Sequence, residues 1–266
     1  MTNKGLYGAG GGSAKSSSSF TSEGGNGQRG AVRIIYPTPA GDSDTTTIID
    51  RGLPSTGLVA TPTPPPILEF LGGINQGQNQ NATQSVSITS LSTPAASSYA
   101  LIVAMGAENG AYTALTDADN NSYTRHVMVN NDEFATIFGM DAEVTSMPSS
   151  LTFSNGGNRI AFGVYALSNA TSLTPQDTAS LGANLASPHN LTLTTQAGDV
   201  CVAALGHIDT NAGAVTVAAD AKDWDFNLGN CSGRGGSTVA TGTSTTIQLT
   251  STSASANGAS VAAAWR

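Results

Sequence analysis

From Ile67 to Arg266, apolar or alternating runs of about five to nine residues recur, each broken by turn-forming residues. This spacing constrains the fold more than any other feature of the chain. The breaks include Asn109-Gly110, Asp119-Asn120-Asn121, Asn155-Gly156-Gly157, Ala197-Gly198-Asp199 and Asn257-Gly258. Such residues tolerate turn and left-handed backbone that others resist. The runs predict strands over 84–91, 99–105, 122–129, 134–140, 150–153, 160–167, 190–195, 200–208, 214–218, 238–241, 245–250 and 260–265. Four of them (99–105, 160–167, 200–205 and 261–265) are almost wholly apolar, which predicts central strands covered on both faces. The 122–129 and 245–250 runs alternate, as half-exposed strands do. Only the stretch near Gln176–Leu185 suits a helical turn. The fold class that follows is all-β, an antiparallel β-sandwich or jelly-roll domain over 67–266.

The preceding residues read differently. Residues 1–36 form a Gly/Ser-rich arm that closes on a short β-branched strand, Gly30-Ala31-Val32-Arg33-Ile34-Ile35-Tyr36. Glycine and serine lose much backbone freedom on ordering and offer little surface to bury, so the arm needs something outside itself to hold it. Residues 37–66 carry Pro37, Pro39, Pro54, Pro62, Pro64, Pro65 and Pro66. Proline fixes φ and favours an extended spacer, so this segment reads as a semi-rigid linker.

The charge balance excludes some partners. The net charge is −8 and lysine is confined to Lys4, Lys15 and Lys222, whereas a nucleic-acid surface needs clustered cations. No apolar run approaches the ~20 residues that span a bilayer, so membrane insertion is not expected. The segment Met1-Thr2-Asn3-Lys4-Gly5-Leu6-Tyr7 lacks the apolar core of a signal peptide, which points to synthesis in a cytoplasm. Of the two cysteines, Cys201 lies in the apolar run Val200–Leu205 and reads as a buried reduced thiol rather than half of a bridge with Cys231.

Motifs that carry chemistry are weak throughout. Ala9-Gly10-Gly11-Gly12-Ser13-Ala14-Lys15-Ser16 misses the phosphate-loop pattern at Ala9 and Ala14 and lacks the strand and helix that should flank it. Asp117, Asp119 and Asn121 alternate like calcium ligands, but the turn glycine and closing glutamate are missing, which favours a β-turn held by its own side chains. His126, His189 and His207 are too scattered in sequence for a zinc site, although His207 and Asp209 stand at i and i+2. Asp220, Asp223 and Asp225 cluster about Trp224, and paired carboxylates can cleave glycosides. With Lys222 among them, the cluster reads better as a solvated loop anchored by one aromatic. Trp224 is the residue singled out for ligand contact, by stacking on a sugar ring, whereas Trp265 reads as core. Gly233-Arg234-Gly235-Gly236 reads as a flexible loop. No catalytic residue, cofactor site or metal site is expected.

The segment Gly24-Gly25-Asn26-Gly27-Gln28-Arg29-Gly30 and its strand through Tyr36 resembles the glycine-rich, Gly-Ala-Val-Arg-Ile-Ile-aromatic segment of tail and fibre-like virion proteins from marine and cyanobacterial phages. Over roughly 98–266, the order of Asp117–Thr124, the aromatic 134–140 strand, Leu151–Ser154, Ile160–Leu167 and the Ala-rich strand ending Trp265-Arg266 is similar to β-sandwich domains of phage minor structural proteins. The resemblance implies a non-enzymatic virion structural protein, assembled in the host cytoplasm and tail-associated at a fibre, collar or adaptor position. Its partners would be other virion proteins and copies of itself, in a trimer or ring. Two alternatives stay open: a capsid-decorating or head-fibre protein, and a carbohydrate-binding module that recognises a host surface glycan.

Overall fold

The structure, a computed structural model, describes residues 64–76, 83–108, 112–130, 133–154, 159–182, 188–207, 222–227, 232–250 and 258–266. It describes backbone alone for Glu108, Glu133, Val215–Val217 and the strands before residue 64. The chain divides into two compact units, Met1–Thr63 and Pro64–Arg266. The first holds β1 (Asn3–Lys4), β2 (Ser13–Ser16), β3 (Phe20–Thr21), β4 (Ala31–Ile35) and β5 (Thr46–Asp50), paired as β1-β2-β3 and β4-β5.

The second unit is an all-β, antiparallel stack. Its first eight strands are β6 (Ile67–Gln76), β7 (Gln84–Ser87), β8 (Ala100–Glu108), β9 (Ala114–Asp117), β10 (Tyr123–Asn130), β11 (Glu133–Met140), β12 (Ser150–Ser154) and β13 (Arg159–Ser168). The next eight are β14 (Asp177–Leu181), β15 (His189–Thr194), β16 (Val200–His207), β17 (Val215–Val217), β18 (Lys222–Asn227), β19 (Ser232–Val239), β20 (Ser244–Leu249) and β21 (Gly258–Trp265). The first eight form a five-stranded sheet, β10-β11-β8-β13-β6, and a three-stranded sheet, β7-β12-β9. The second eight form β14-β21-β16-β19-β18 and β15-β20-β17. Where the sequence led us to expect one sandwich over 67–266, the structure has two.

Numbered within its own half, each sandwich has the same connectivity: 5-6-3-8-1 in one sheet and 2-7-4 in the other. A jelly roll pairs strand 5 with strand 4. Here strand 5 pairs with strand 6 instead, so the eight strands divide five and three. The irregularities repeat as well. In both halves the strand 5–6 ladder slips by one residue, between Arg125 and Val127 in β10 and between Lys222 and Trp224 in β18. The residue bulged out is His126 in one half and Asp223 in the other. Glu69 accepts a hydrogen bond from Ala95 N at 2.8 Å, and its positional equivalent Asp177 accepts one from Thr194 N at 2.6 Å. Shared strand order, bulge position and carboxylate cap make the two halves structural repeats.

The five-stranded sheets face each other in the middle of the stack. Each β10, β11, β8, β13 and β6 lies over strands of the opposite sheet in reversed order, with β8 over β16 at the centre. An approximate twofold axis therefore runs along the strands between β8 and β16. The seam core comprises Ile102, Ala104, Ile137, Tyr165 and Leu167 from one half and Val200, Val202, Trp224, Val261 and Trp265 from the other. The outer faces are covered by the three-stranded sheets. Phe134, Phe138, Phe153 and Phe162 fill one outer core, and Leu191, Leu193, Leu205, Ile247 and Leu249 the other. Because the middle sheets are sandwiched on both sides, their interior strands β8, β13, β16 and β21 are the near-continuous apolar runs seen in the sequence. Each fully buried Leu, Ile or Phe contributes about 1.5–3 kcal/mol over its exposed state.

Three local expectations are corrected. The stretch near Gln176–Leu185 forms strand β14 over Asp177–Leu181, because its residues pair with the fully buried β21. The loops expected around Asp223–Asp225 and at Gly233–Gly236 are strands β18 and β19. The strand expected at 238–241 is the end of β19, which starts at Ser232.

Candidate functional site

Trp224 is a seam residue, only 3% exposed on β18. Its indole lies in a slot of glycines. A Cβ added at Gly73 would stand 2.8 Å from Trp224 Cβ, one at Gly235 would stand 2.5 Å from Cε2, and one at Gly163 would collide with the pyrrole edge. Phe226 stacks beside it with ring centroids 6.4 Å apart. The expected contact with a ligand required an exposed ring, and the ring is buried between the sheets. Trp265 is core as expected, fully buried with its Nε1 donating to Leu173 O at 2.9 Å.

The acidic residues beside Trp224 serve the fold. Asp223, the bulge residue, turns into the seam, where Ser237 Oγ donates to it at 2.7 Å. Burial raises its pKa above the ordinary carboxylate range, and the hydroxyls of Ser237 and Tyr165 pull it back. Tyr165 is fully buried, and its phenol is pushed well above its usual value by burial and then by Asp223. Asp225 accepts from Lys222 at 2.6 Å and pairs with the buried Arg234 at 3.1 Å. Asp223 and Asp225 flank Trp224, which itself faces the seam, and each is committed to a different structural partner. Asp220 lies outside the described residues.

The Asp117 loop is a turn closed by its own side chains. Asp117 Oδ1 accepts from the Asp119 and Asn121 amides at 2.9 and 3.0 Å, and Oδ2 accepts from Asn121 Nδ2 at 2.9 Å and Tyr123 OH at 3.1 Å. Asn120 takes φ 61°, the left-handed value that asparagine tolerates at such a turn. Four donors already occupy this carboxylate.

The histidines are less scattered in space than in sequence. His189 and His207, on different sheets, both press on Gly258: a Cβ there would stand 2.9 Å from His189 Cε1 and 2.9 Å from His207 Cδ2. His189 Nδ1 and Ser260 Oγ are 2.9 Å apart, and all three side chains are buried. Sequence spacing misses this pair because β15 and β16 belong to different layers; the signal was Gly258 opening β21. Among the described residues, no group of three His, Cys, Asp or Glu stands close enough to hold a metal ion. Asp209 and Cys231 lie outside the described residues. His126 packs edge-on to Trp265 at 6.0 Å, and burial lowers its pKa against the opposing pull of Asp141. Cys201 is a buried free thiol whose pKa is pushed up to about 12 by burial and then by Asp199.

Among the described residues, a cleft of about 530 Å³ opens at one end of the first sandwich, lined by Glu69, Ser97, Ser98, Glu143, Ser168 and Asn169 with Ile67, Ala95, Ala96 and Ala166. Ser98 Oγ donates to Glu143 Oε2 at 2.6 Å. Ser168, which closes strand β13 at this end, is 5% exposed. None of these residues stands out in the sequence, because four separate segments meet there. At the matching corner of the second sandwich, Arg266 seals the end. Its Nε and Nη2 each donate to the buried Asp199 carboxylate at 3.1 Å, and Gln176 donates to the same group. Burial pushes the Asp199 pKa up, but these bonds and the Gln196 amide at 2.5 Å hold it below its ordinary value.

No protein-family model, curated protein or solved structure matches this chain.

Proposed function

We propose that the chain is a non-enzymatic structural protein of a phage particle, tail-associated at a fibre, collar or adaptor position, that docks through its first 36 residues and displays the double sandwich. The observation that carries the reading is the division of labour along the sequence. A Gly/Ser-rich arm with little to bury precedes a stack in which the buried Asp199 and the half-buried Asp223 and Asp225 are spent on structural partners. The arm's resemblance to phage tail and fibre-like segments supplies the setting. Display also suits the architecture, since a wide seam between two sandwiches gives a rigid body that neighbours can hold at one point. Copies arranged by symmetry would add avidity that one weak contact lacks.

Deleting residues 1–36 is the direct test. The shortened protein is expected to keep the far-ultraviolet circular dichroism and cooperative unfolding of the stack while particle incorporation falls at least tenfold. Normal incorporation of a folded, shortened protein would overturn the docking role.

A further inference from the structure

The two repeats diverge in the outer core, at the end where strand 2 begins. There the ladders match Phe134 and Phe162 of the first sandwich with Ser232 and Ser260 of the second, Ile160 with Gly258, and Ala107 with His207. Strand 2 itself opens on Gln84 in the first half and on His189 in the second. Aromatic bulk is exchanged for two imidazoles, two hydroxyls and a glycine, all of them buried. His189 from the outer sheet and His207 from the middle sheet crowd that glycine, since a Cβ on Gly258 would stand 2.9 Å from a ring carbon of each. Ser232 Oγ, on the residue opposite His207 in the ladder, has no hydrogen-bond partner among the described residues.

Neutral imidazoles fit such a place, whereas burial and mutual repulsion both oppose charged ones. Histidine is also the side chain that gains charge in mild acid. Among the described residues, the groups around the pair offer it no spare counterion. Arg234 of β19 stands opposite Leu205 on this face and adds another positive charge. Asp225 of β18 already pairs with Arg234 and Lys222. Asp177 of β14 accepts from Thr194 N at the far end of β15, and Asp199 and Cys201 lie at the far end of β16. Strands β17, β20 and β21 contain no charged residue. The outer sheet is also lightly held. Leu191, Leu193, Ile247 and Leu249 meet Ala203, Leu205, Ala262 and Ala264, where the first sandwich packs phenylalanines. We infer that His189 and His207 form an acid-sensitive catch, which keeps the outer sheet β15-β20-β17 on the middle sheet at neutral pH and releases it in mild acid. The catch depends on the stack alone and is independent of the docking role of the arm.

Hydrogen exchange of the full-length protein, read strand by strand as protection factors, tests the catch. The opened sheet binds protons that the closed one refuses, so protection falls as pH drops through the ordinary imidazole range, about 6.5. From about pH 7.5 to about 5.5, each imidazole that charges only in the open form favours opening roughly tenfold. Strands β15 and β20 should therefore lose roughly a hundredfold in protection, while their counterparts β7 and β12 keep theirs. His189→Gln, which installs the first half's own residue, should cut the loss to about tenfold, and adding His207→Gln should remove it. His126→Gln should leave the loss intact, because that ring packs on Trp265 in the seam. Protection of β15 and β20 that survives acid, an equal loss in β7 and β12, or a full loss in His189→Gln would overturn the catch. So would its disappearance in His126→Gln. Should the double variant fail to fold, the strand-resolved wild type and the His189→Gln single decide.

Discussion

Trp224→Ala is expected to destabilise the stack by about 4 kcal/mol, in the range for deleting a large buried aromatic. The indole fills space that Gly73, Gly163, Gly233 and Gly235 leave open. Those glycines have no side chains to swing inward, so the hole cannot collapse cheaply. For a domain of this size the melting temperature should fall by roughly 8–16 °C. Urea unfolding of the purified variant measures this, with Phe226→Leu expected to cost far less because that ring is only partly buried. Loss of glycan or host attachment in Trp224→Ala would therefore report lost stability, not a lost contact. A variant within about 1 kcal/mol of wild type would contradict the placement of Trp224 in the seam.

Gly106→Ala and Gly206→Ala should each cost about 3 kcal/mol, at the upper end for overpacking. These equivalent residues meet near the approximate twofold axis. A Cβ on Gly106 would collide with the Leu205 carbonyl oxygen and stand 3.1 Å from Gly206 Cα; one on Gly206 would collide with the Phe134 carbonyl oxygen. Backbone cannot rotate aside as a side chain can, so the sheets must separate along the seam. Once the first alanine has wedged them apart, the second meets less resistance. The double variant should thus cost less than the sum of the singles. Gly242→Ala, where an added Cβ meets nothing within 4 Å, is the control and should be nearly neutral.

The interior strands were legible because burial on two faces leaves a mark in the sequence itself. Runs such as Ala100-Leu101-Ile102-Val103-Ala104 and Val261-Ala262-Ala263-Ala264-Trp265 have no polar side for water, and they are central. Strands β18 and β19 were not legible. Ser232–Val239 is rich in glycine because Trp224 and the opposite sheet crowd one face, and local propensity cannot register a neighbour from another strand. The duplication was hidden for a related reason. Ile137 and Phe138 in β11 correspond to Gly235 and Gly236 in β19, so volume has moved between equivalent positions while the ladder stayed the same. The Gly106–Gly206 pair carries the repeat openly, and one pair a hundred residues apart is too little to read. The cleft was invisible because Glu69, Ser98, Glu143 and Ser168 meet only after folding.

The claim on which the rest depends is that this chain is built into a particle. Electron microscopy of purified phage particles from the host that carries the gene, with antibody-linked gold raised against residues 64–266, tests that proposal directly. The account predicts label at one symmetric position on the tail, in a fixed number per particle, as expected for point-group assembly. Bare particles, with the protein recovered wholly in the soluble fraction of the same lysate, would contradict it.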